Sequence, residues 1–142
     1  MDPRVAVPAD RASIAALLAQ TGLPVDDLDD PAIAFVVGEA QGLIAGVVGV
    51  QDCGDAGLLR SLAVRADLRG GGHGTVLLRA AETLARARGR SPLVLLTQTA
   101  EAFFARHGYR VIPRGEAPAS VRASAEFRAL CPASATCMAK DV

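Results

Sequence analysis

Lysine is almost missing from this sequence. Of the 15 basic residues one is a lysine, Lys140, and the rest are arginines. A Walker-type phosphate loop needs a lysine directly after its glycines, and none stands there. A Schiff-base enzyme would have to rely on Lys140 alone, close to the end of the sequence. Tryptophan is absent and aromatic residues make up 4%, too few to stack on single-stranded bases. Charge of one sign is also missing: 15 basic residues meet 15 acidic ones, which argues against a nucleic-acid partner. No apolar run reaches the ~18 residues of a membrane helix. The opening Met1-Asp2-Pro3-Arg4 lacks the apolar stretch of a signal peptide. Three cysteines, Cys53, Cys131 and Cys137, make an odd count. Without a secretion signal this points to the reducing cytoplasm. Neither C-x-x-C nor H-x-x-x-H occurs, and His73 and His107 lie far apart, so no metal site is expected.

What is present suits one compact domain over residues 1–142, with 51% hydrophobic and 21% charged residues. Residues 4–7 read as a first strand. Asp10 is placed to cap a helix carrying Ile14, Leu17 and Leu18 at helical spacing through Gln20, with Gly22 as its stop. Residues 26–30 form an acidic loop or short helix. Runs at 32–39, 43–50 and 58–64 read as an antiparallel meander, with Gln41-Gly42 as a two-residue turn. A glycine-rich loop over 65–74 precedes an amphipathic helix over 75–88. The apolar run 92–97 reads as a buried strand. Thr99 is placed to cap a helix over 100–107, and residues 109–112 form another strand. Pro118 opens a helix to about Leu130, and a last strand covers 135–139. The order β-α-β-β-β-α-β-α-β-α-β is that of a mixed α/β domain with one main sheet.

The stretch Arg69-Gly70-Gly71-Gly72-His73-Gly74-Thr75 carries the chemistry. A strand ends, glycines follow and a helix begins, so free N–H groups and the positive helix end converge on one point. That is an anion site, fit for a phosphate or pyrophosphate. The dinucleotide fingerprint G-x-G-x-x-G fails in either register. What fits is R-x-x-G-x-G at Arg69, Gly72 and Gly74, directly after Leu62-Ala63-Val64.

This pattern, with the downstream Ala100-x-x-Phe103-Phe104-x-x-x-Gly108-Tyr109, resembles the GNAT superfamily of acyl-CoA-dependent N-acyltransferases. Within it, Gly57 to Val64, the Leu95-to-Phe104 segment and the block Leu130-Cys131-Pro132-Ala133-Ser134-Ala135-Thr136-Cys137-Met138 resemble the arsenic-operon N-acetyltransferases. That group includes enzymes acting on the α-amine of arsinothricin and phosphinothricin. The resemblance implies a mixed, mainly antiparallel sheet, flanked by helices, whose central parallel strand pair splays to admit acetyl-CoA.

The resemblance also implies roles. The pantetheine arm would pair with the backbone of Leu62, Ala63 and Val64, with the N–H near Val64 polarising the thioester carbonyl. Pyrophosphate would sit on Arg69, Gly70, Gly71, Gly72, His73, Gly74 and Thr75. Two family roles find no matching residue. The usual glutamate base falls on Leu58, and the usual tyrosine falls on Phe104, which stays beside the coenzyme. Tyr109 carries a hydroxyl but matches a packing aromatic. A direct ternary-complex transfer with no acyl-enzyme is therefore expected, because an α-amine with a pKa of about 8 is partly neutral near pH 7.

An amino-acid-like toxin with two anionic ends calls for arginines and hydroxyls. Arg60, inside an apolar strand, either faces the substrate or has an ion-pair partner; Ser61 lies beside it. Thr97, Gln98 and Thr99 form a polar cluster at a strand's C-terminal end, where ligands gather; Thr99 also suits simple capping. Arg122 and Arg128 either close over the substrate or form a solvated helix face. Cys131 and Cys137 are either buried side chains or arsenic-binding thiolates. Other expected readings are acetylation of a different small amine, or a non-catalytic acyl-CoA-binding or arsenic-sensing module. A homodimer through an exposed edge strand is a further expectation.

Overall fold

The structure is a computed structural model and describes residues 1–130 and 132–142. One sheet holds β1 (Pro3–Val5), β2 (Ile33–Ala40), β3 (Leu43–Asp52), β4 (Gly57–Val64), β5 (Leu93–Thr97), β6 (Arg110–Val111) and β7 (Thr136–Lys140). The spatial order is β1-β2-β3-β4-β5-β7-β6. Neighbours are antiparallel except β4 and β5, which are parallel. The helices are α1 (Arg11–Gln20), α2 (His73–Ala87), α3 (Glu101–Arg106) and α4 (Ala119–Arg122). This is the mixed, mainly antiparallel α/β architecture that the resemblance implied. No helix among the described residues is long and apolar enough to cross a membrane.

Two apolar layers sandwich the sheet. Along β2 and β3 the side chains alternate. Phe35, Val37 and Val47 meet Ile14, Leu17 and Leu18 of α1. Val36, Val48 and Val50 meet Leu77, Leu78, Ala81 and Ala85 of α2 on the other face. The hairpin between these strands turns at Gln41 (φ 55°) and Gly42 (φ 78°), both left-handed, which matches strand twist. β5 is covered on both faces. Leu93 and Leu95 face α2, while Val94 packs with Leu58, Cys137, Ala139 and Val121. Burial on both sides explains its unbroken apolar run.

Local chemistry moved several expected boundaries. Asp10 does not cap α1. Its carboxylate accepts from Arg4 Nη1 (2.8 Å) and Nη2 (3.0 Å) and from the Val7 N–H (2.8 Å), closing the short 3-10 turn Pro8–Asp10. The Arg4 guanidinium first, and the Val7 N–H second, hold its pKa down at about 2. Thr99 does not cap α3, whose N-cap is Ala100 with no side-chain cap bond; the Thr97 hydroxyl accepts from the Ala100 N–H at 3.0 Å just before the helix. α2 begins at His73 rather than 75, because Gly72 in the left-handed region (φ 82°) ends the loop there. The helix expected over 118–130 is broken. α4 stops at Arg122, and Glu126–Leu130 form a π-turn. Between them the Ser124 hydroxyl accepts from the Phe127 N–H at 3.4 Å, competing with the helical ladder.

The parallel pair is short. β4 and β5 match only at Gly57–Leu93 and Leu58–Val94. Beyond that point each strand keeps its other neighbour, β3 or β7, and the two separate. β4 carries a bulge there. Its register to β3 runs Gly49–Arg60 and then Val47–Ala63, with Ser61 left-handed at φ 59°. A bulge adds local twist and bends the strand, so β4 turns away from β5 where pairing ends.

At the junction the strands approach closely. A Cβ on Gly57 would lie 2.8 Å from Leu93 Cδ2, and Leu93 is fully buried. Gly57→Val is expected to lower stability by about 1–3 kcal/mol through overpacking, read from urea denaturation midpoints.

Candidate active site

The divergence of β4 and β5 opens a cleft of about 470 Å³. One wall is Leu59 to Leu62 of β4. The other is Leu95 to Thr97 of β5, continued by Gln98, Thr99, Ala100 and Phe104. Gly22, Leu23, Pro24 and Asp26 from the loop after α1 border it, as do Glu126, Pro132 and Ala135 from the C-terminal segment. Arg60, Ser61, Leu62, Thr97, Gln98, Thr99 and Phe104 therefore share one space. Ala63 and Val64 lie further along β4 and do not line it. Ala63 packs toward α1 and Val64 toward α2.

At the far end of β4 the glycine loop delivers the N-terminus of the 15-residue α2. No side chain caps this end. The first helical N–H to find a backbone acceptor is that of Val76, on the Gly72 carbonyl at 3.2 Å. Gly70 (φ 85°) and Gly72 (φ 82°) are left-handed, and a Cβ on either would meet nothing within 4 Å. The surface over them is open, and N–H groups of the first turn are available to an anion. Arg69 bends back, its Nε donating to the Val64 carbonyl at 3.3 Å, and ties loop to strand. His107 pins α3 to this corner. Its Nδ1–H donates to the Phe103 carbonyl (2.8 Å), leaving Nε2 to accept from the Thr75 hydroxyl (3.1 Å).

The charged groups are arranged differently from the expectation built on Arg60. Its side chain is 0% exposed. Nη1 and Nη2 grip both oxygens of Asp27 at 2.6 and 2.5 Å. Nη1 also reaches Gln51 Oε1 at 3.2 Å, and Nε reaches Ser61 Oγ at 3.4 Å. Nε stands 3.8 Å from Glu126 Oε1. Arg60 borders the cleft as a member of a buried ion cluster. An ion pair was the other reading the sequence left open for it.

Glu126 has no forecast in the sequence. It is 4% exposed and lines the cleft. Burial pushes its pKa up to about 7, Arg60 draws it back, and Asp27 adds to the rise. In a regular helix Arg128, seven residues after Val121, would share that residue's inner face. The π-turn brings Glu126 inward instead, and Arg128 is exposed. Arg122 is exposed too, its Nε donating to the Ala117 carbonyl at 3.0 Å.

Tyr109 lies outside the cleft. Its hydroxyl donates to Glu82 Oε2 at 2.9 Å, and Lys140 Nζ donates to the same oxygen at 3.0 Å. Burial and the Glu82 carboxylate hold the phenol well above its usual pKa, so it is a structural donor. Burial likewise pushes up the Cys137 thiol, which packs against Leu58 and Val94. Cys131 lies outside the described residues. Among the described residues no three His, Cys, Asp or Glu side chains converge to hold a metal.

Residues 31–111 match the family model described as the acetyltransferase (GNAT) domain. This is more than half of the chain, and the chain belongs to that family: it is an acetyl-CoA-dependent N-acetyltransferase. Solved structures share the fold. Rv2747 from Mycobacterium tuberculosis, in complex with CoA and NLQ, is 23% identical, with TM-score 0.84 over 100% of this chain and 99% of that one. N-acetylglutamate synthase from Neisseria gonorrhoeae, complexed with coenzyme A and L-arginine, is 23% identical with TM-score 0.80. The match covers 99% of this chain and 33% of that one, so this chain spans a third of that protein. Tetrahymena GCN5 is 14% identical, with TM-score 0.81 over 100% of this chain and 96% of that one. No curated protein matches the chain.

Two substitutions separate structural from functional roles. Arg60→Ala leaves Asp27 without its partner and is expected to cost about 3–5 kcal/mol in chemical denaturation. Tyr109→Phe removes one donor from Glu82, an expected cost of about 1–2 kcal/mol. Because Tyr109 lies outside the cleft, kcat in a thiol-release assay is expected to stay near the wild-type value.

Proposed function

We propose that residues 1–142 act as one cytoplasmic N-acetyltransferase domain for the α-amine of a small amino-acid-like toxin of the arsinothricin or phosphinothricin type. The observation that carries this reading is the single cleft between β4 and β5. It joins the bulged strand edge to the Thr97-Gln98-Thr99 cluster and is bordered by Pro132 and Ala135 of the distinctive C-terminal block. A cleft of about 470 Å³ suits a small acceptor.

The residues fit acetyl-CoA, which supplies the acyl donor as a thioester. The backbone of Leu62, Ala63 and Val64 lies past the last β4–β5 pair, Leu58–Val94, and serves to hold the pantetheine arm. The open loop from Arg69 to Thr75 takes the pyrophosphate on its N–H groups. Phe104 flanks the acyl end from α3, and an N–H at Val64 polarises the carbonyl. Ser61, Thr97, Gln98 and Thr99 orient the acceptor. Its amine attacks the carbonyl directly: the C–N bond forms and the C–S bond breaks. The attacking amine is neutral, and the one proton it loses ends on the departing sulfur. Positioning in a ternary complex provides most of the rate.

One observation favours a second reading. Arg60 is bound to Asp27, and Asp26 and Glu126 also line the cleft. That lining suits an acceptor with additional positive charge, such as a polyamine or aminoglycoside. A thiol-release assay over arsinothricin, phosphinothricin, a polyamine and an aminoglycoside decides the matter. Highest kcat/KM for the two amino acids supports the first reading, and highest for the polyamine supports the second. The coenzyme assignment has its own test. Gly72→Asp keeps a residue that tolerates the left-handed region but places a carboxylate against the pyrophosphate. The Kd for coenzyme A by calorimetry is expected to rise about tenfold or more, with the melting temperature held.

A further inference from the structure

The transfer proposed above requires a neutral amine, and the family's usual base position offers none. Leu58 is fully buried among Val94, Cys137 and Ala139, below the point where β4 and β5 separate. We propose that Glu126 fills this role from the opposite wall, holding the acceptor's ammonium and taking its proton. The inference rests on the N-acetyltransferase reading of the cleft.

Geometry supports it in three ways. First, Glu126 lines the same cleft as Leu62 and stands against Arg60. Leu62, the first residue of the backbone proposed to hold the pantetheine arm, follows Arg60 by two residues and lines the same cleft, so the carboxylate and that edge face one space. Second, the carboxylate is available. Its approach to Arg60 Nε is 3.8 Å, beyond hydrogen-bond range, because both η nitrogens bond Asp27. No hydrogen bond to it forms among the described residues, yet no fully enclosed side-chain oxygen is left unbonded. Glu126 lines the cleft with its side chain 5% exposed. Third, the local charge asks for a cation. Arg60 and Asp27 neutralise each other, so ionised Glu126 leaves one negative charge in excess, with Asp26 on the cleft border adding to it. An ammonium restores neutrality.

The proton step balances simply. The ammonium N–H gives its proton to a Glu126 oxygen, leaving a neutral amine and a neutral carboxyl. Burial raises Glu126 to about 7, against Arg60 and with Asp27. An α-amine at about 8 then gives up its proton at a cost of about tenfold in equilibrium. A carboxylate at its ordinary ~4.3 would make that cost several thousandfold.

The test uses the full chain with phosphinothricin and spermidine as acceptors. Wild-type kcat/KM is expected to rise with pH through about 7, the value to which Glu126 is raised. With phosphinothricin, Glu126→Gln is expected to lose at least about tenfold at pH 7, with the deficit closing toward pH 9.5 as the α-amine becomes neutral unaided. A merely structural role would leave a deficit constant with pH. KM for the amine should rise while Kd for coenzyme A is unchanged, and Glu126→Asp should restore part of the acidic limb. The folded pKa is raised, so the ionised group costs stability as pH climbs through about 7. Glu126→Gln should thus melt higher than wild type at pH 8.5, with the gap gone only below about pH 4.

A readout free of variants is the Glu126 carboxyl 13C signal, expected to titrate near 7 and to shift its midpoint downward on adding the unacetylated acceptor amine without acetyl-CoA. Parallel pH profiles, or a carboxyl titrating in the ordinary range and indifferent to amine, would overturn the assignment and leave the acetyltransferase reading standing. If the wild type acetylates neither amine, both fall together.

Discussion

Everything about the site follows from a parallel strand pair that holds for only two residues. β4 and β5 meet at Gly57–Leu93 and Leu58–Val94 and then part. Each is anchored on its outer side, β4 to β3 and β5 to β7, so neither can follow the other. The bulge at Ser61 turns β4 outward at the same level. A sheet interior that would otherwise be closed thus becomes a cleft with a polar strand end on one side and a backbone edge on the other. The glycine loop and α2 lie beyond the same strand end, so one bend positions both the open helix start and the cleft.

The second organising feature is electrostatic. A buried arginine is tolerable when its charge is matched and its donors are used. Asp27 matches it with two short bonds, Gln51 takes a further donor, and Glu126 stands at the edge of the arrangement. The result couples the loop after α1, β4 and the C-terminal segment around one guanidinium. It leaves a carboxylate, rather than an arginine, as the group with chemical latitude.

Parts of this were legible from the chain alone. The glycine loop announces itself because left-handed glycines and an uncapped helix start are local properties, written within seven residues. Strand and helix identities followed from period, and the Gln41-Gly42 turn from its residue types. The errors share a cause. Thr97 rather than Thr99 bonds the chain ahead of α3, because the β5 end sets which hydroxyl faces the Ala100 N–H. Asp10 turned back to Val7 because Arg4 draws its carboxylate toward β1. Ser124 broke a helix that spacing alone would continue. In each case a side-chain oxygen took a backbone N–H three residues away, a local bond that the spacing of apolar residues does not encode.

The family, the glycine loop before a helix and the mixed α/β plan with one main sheet were set by the sequence itself, because local backbone chemistry and hydrophobic period encode them. The fates of Arg60 and Glu126 were decided only by tertiary structure. Arg60 and Asp27 are 33 residues apart in the chain, and no period or motif relates them. Burial brings their charges together. The same burial keeps Glu126 near Arg60 yet short of a hydrogen bond and lifts its proton affinity toward neutrality. Desolvation and long-range pairing act on positions in space, and those positions exist only once the sheet has formed.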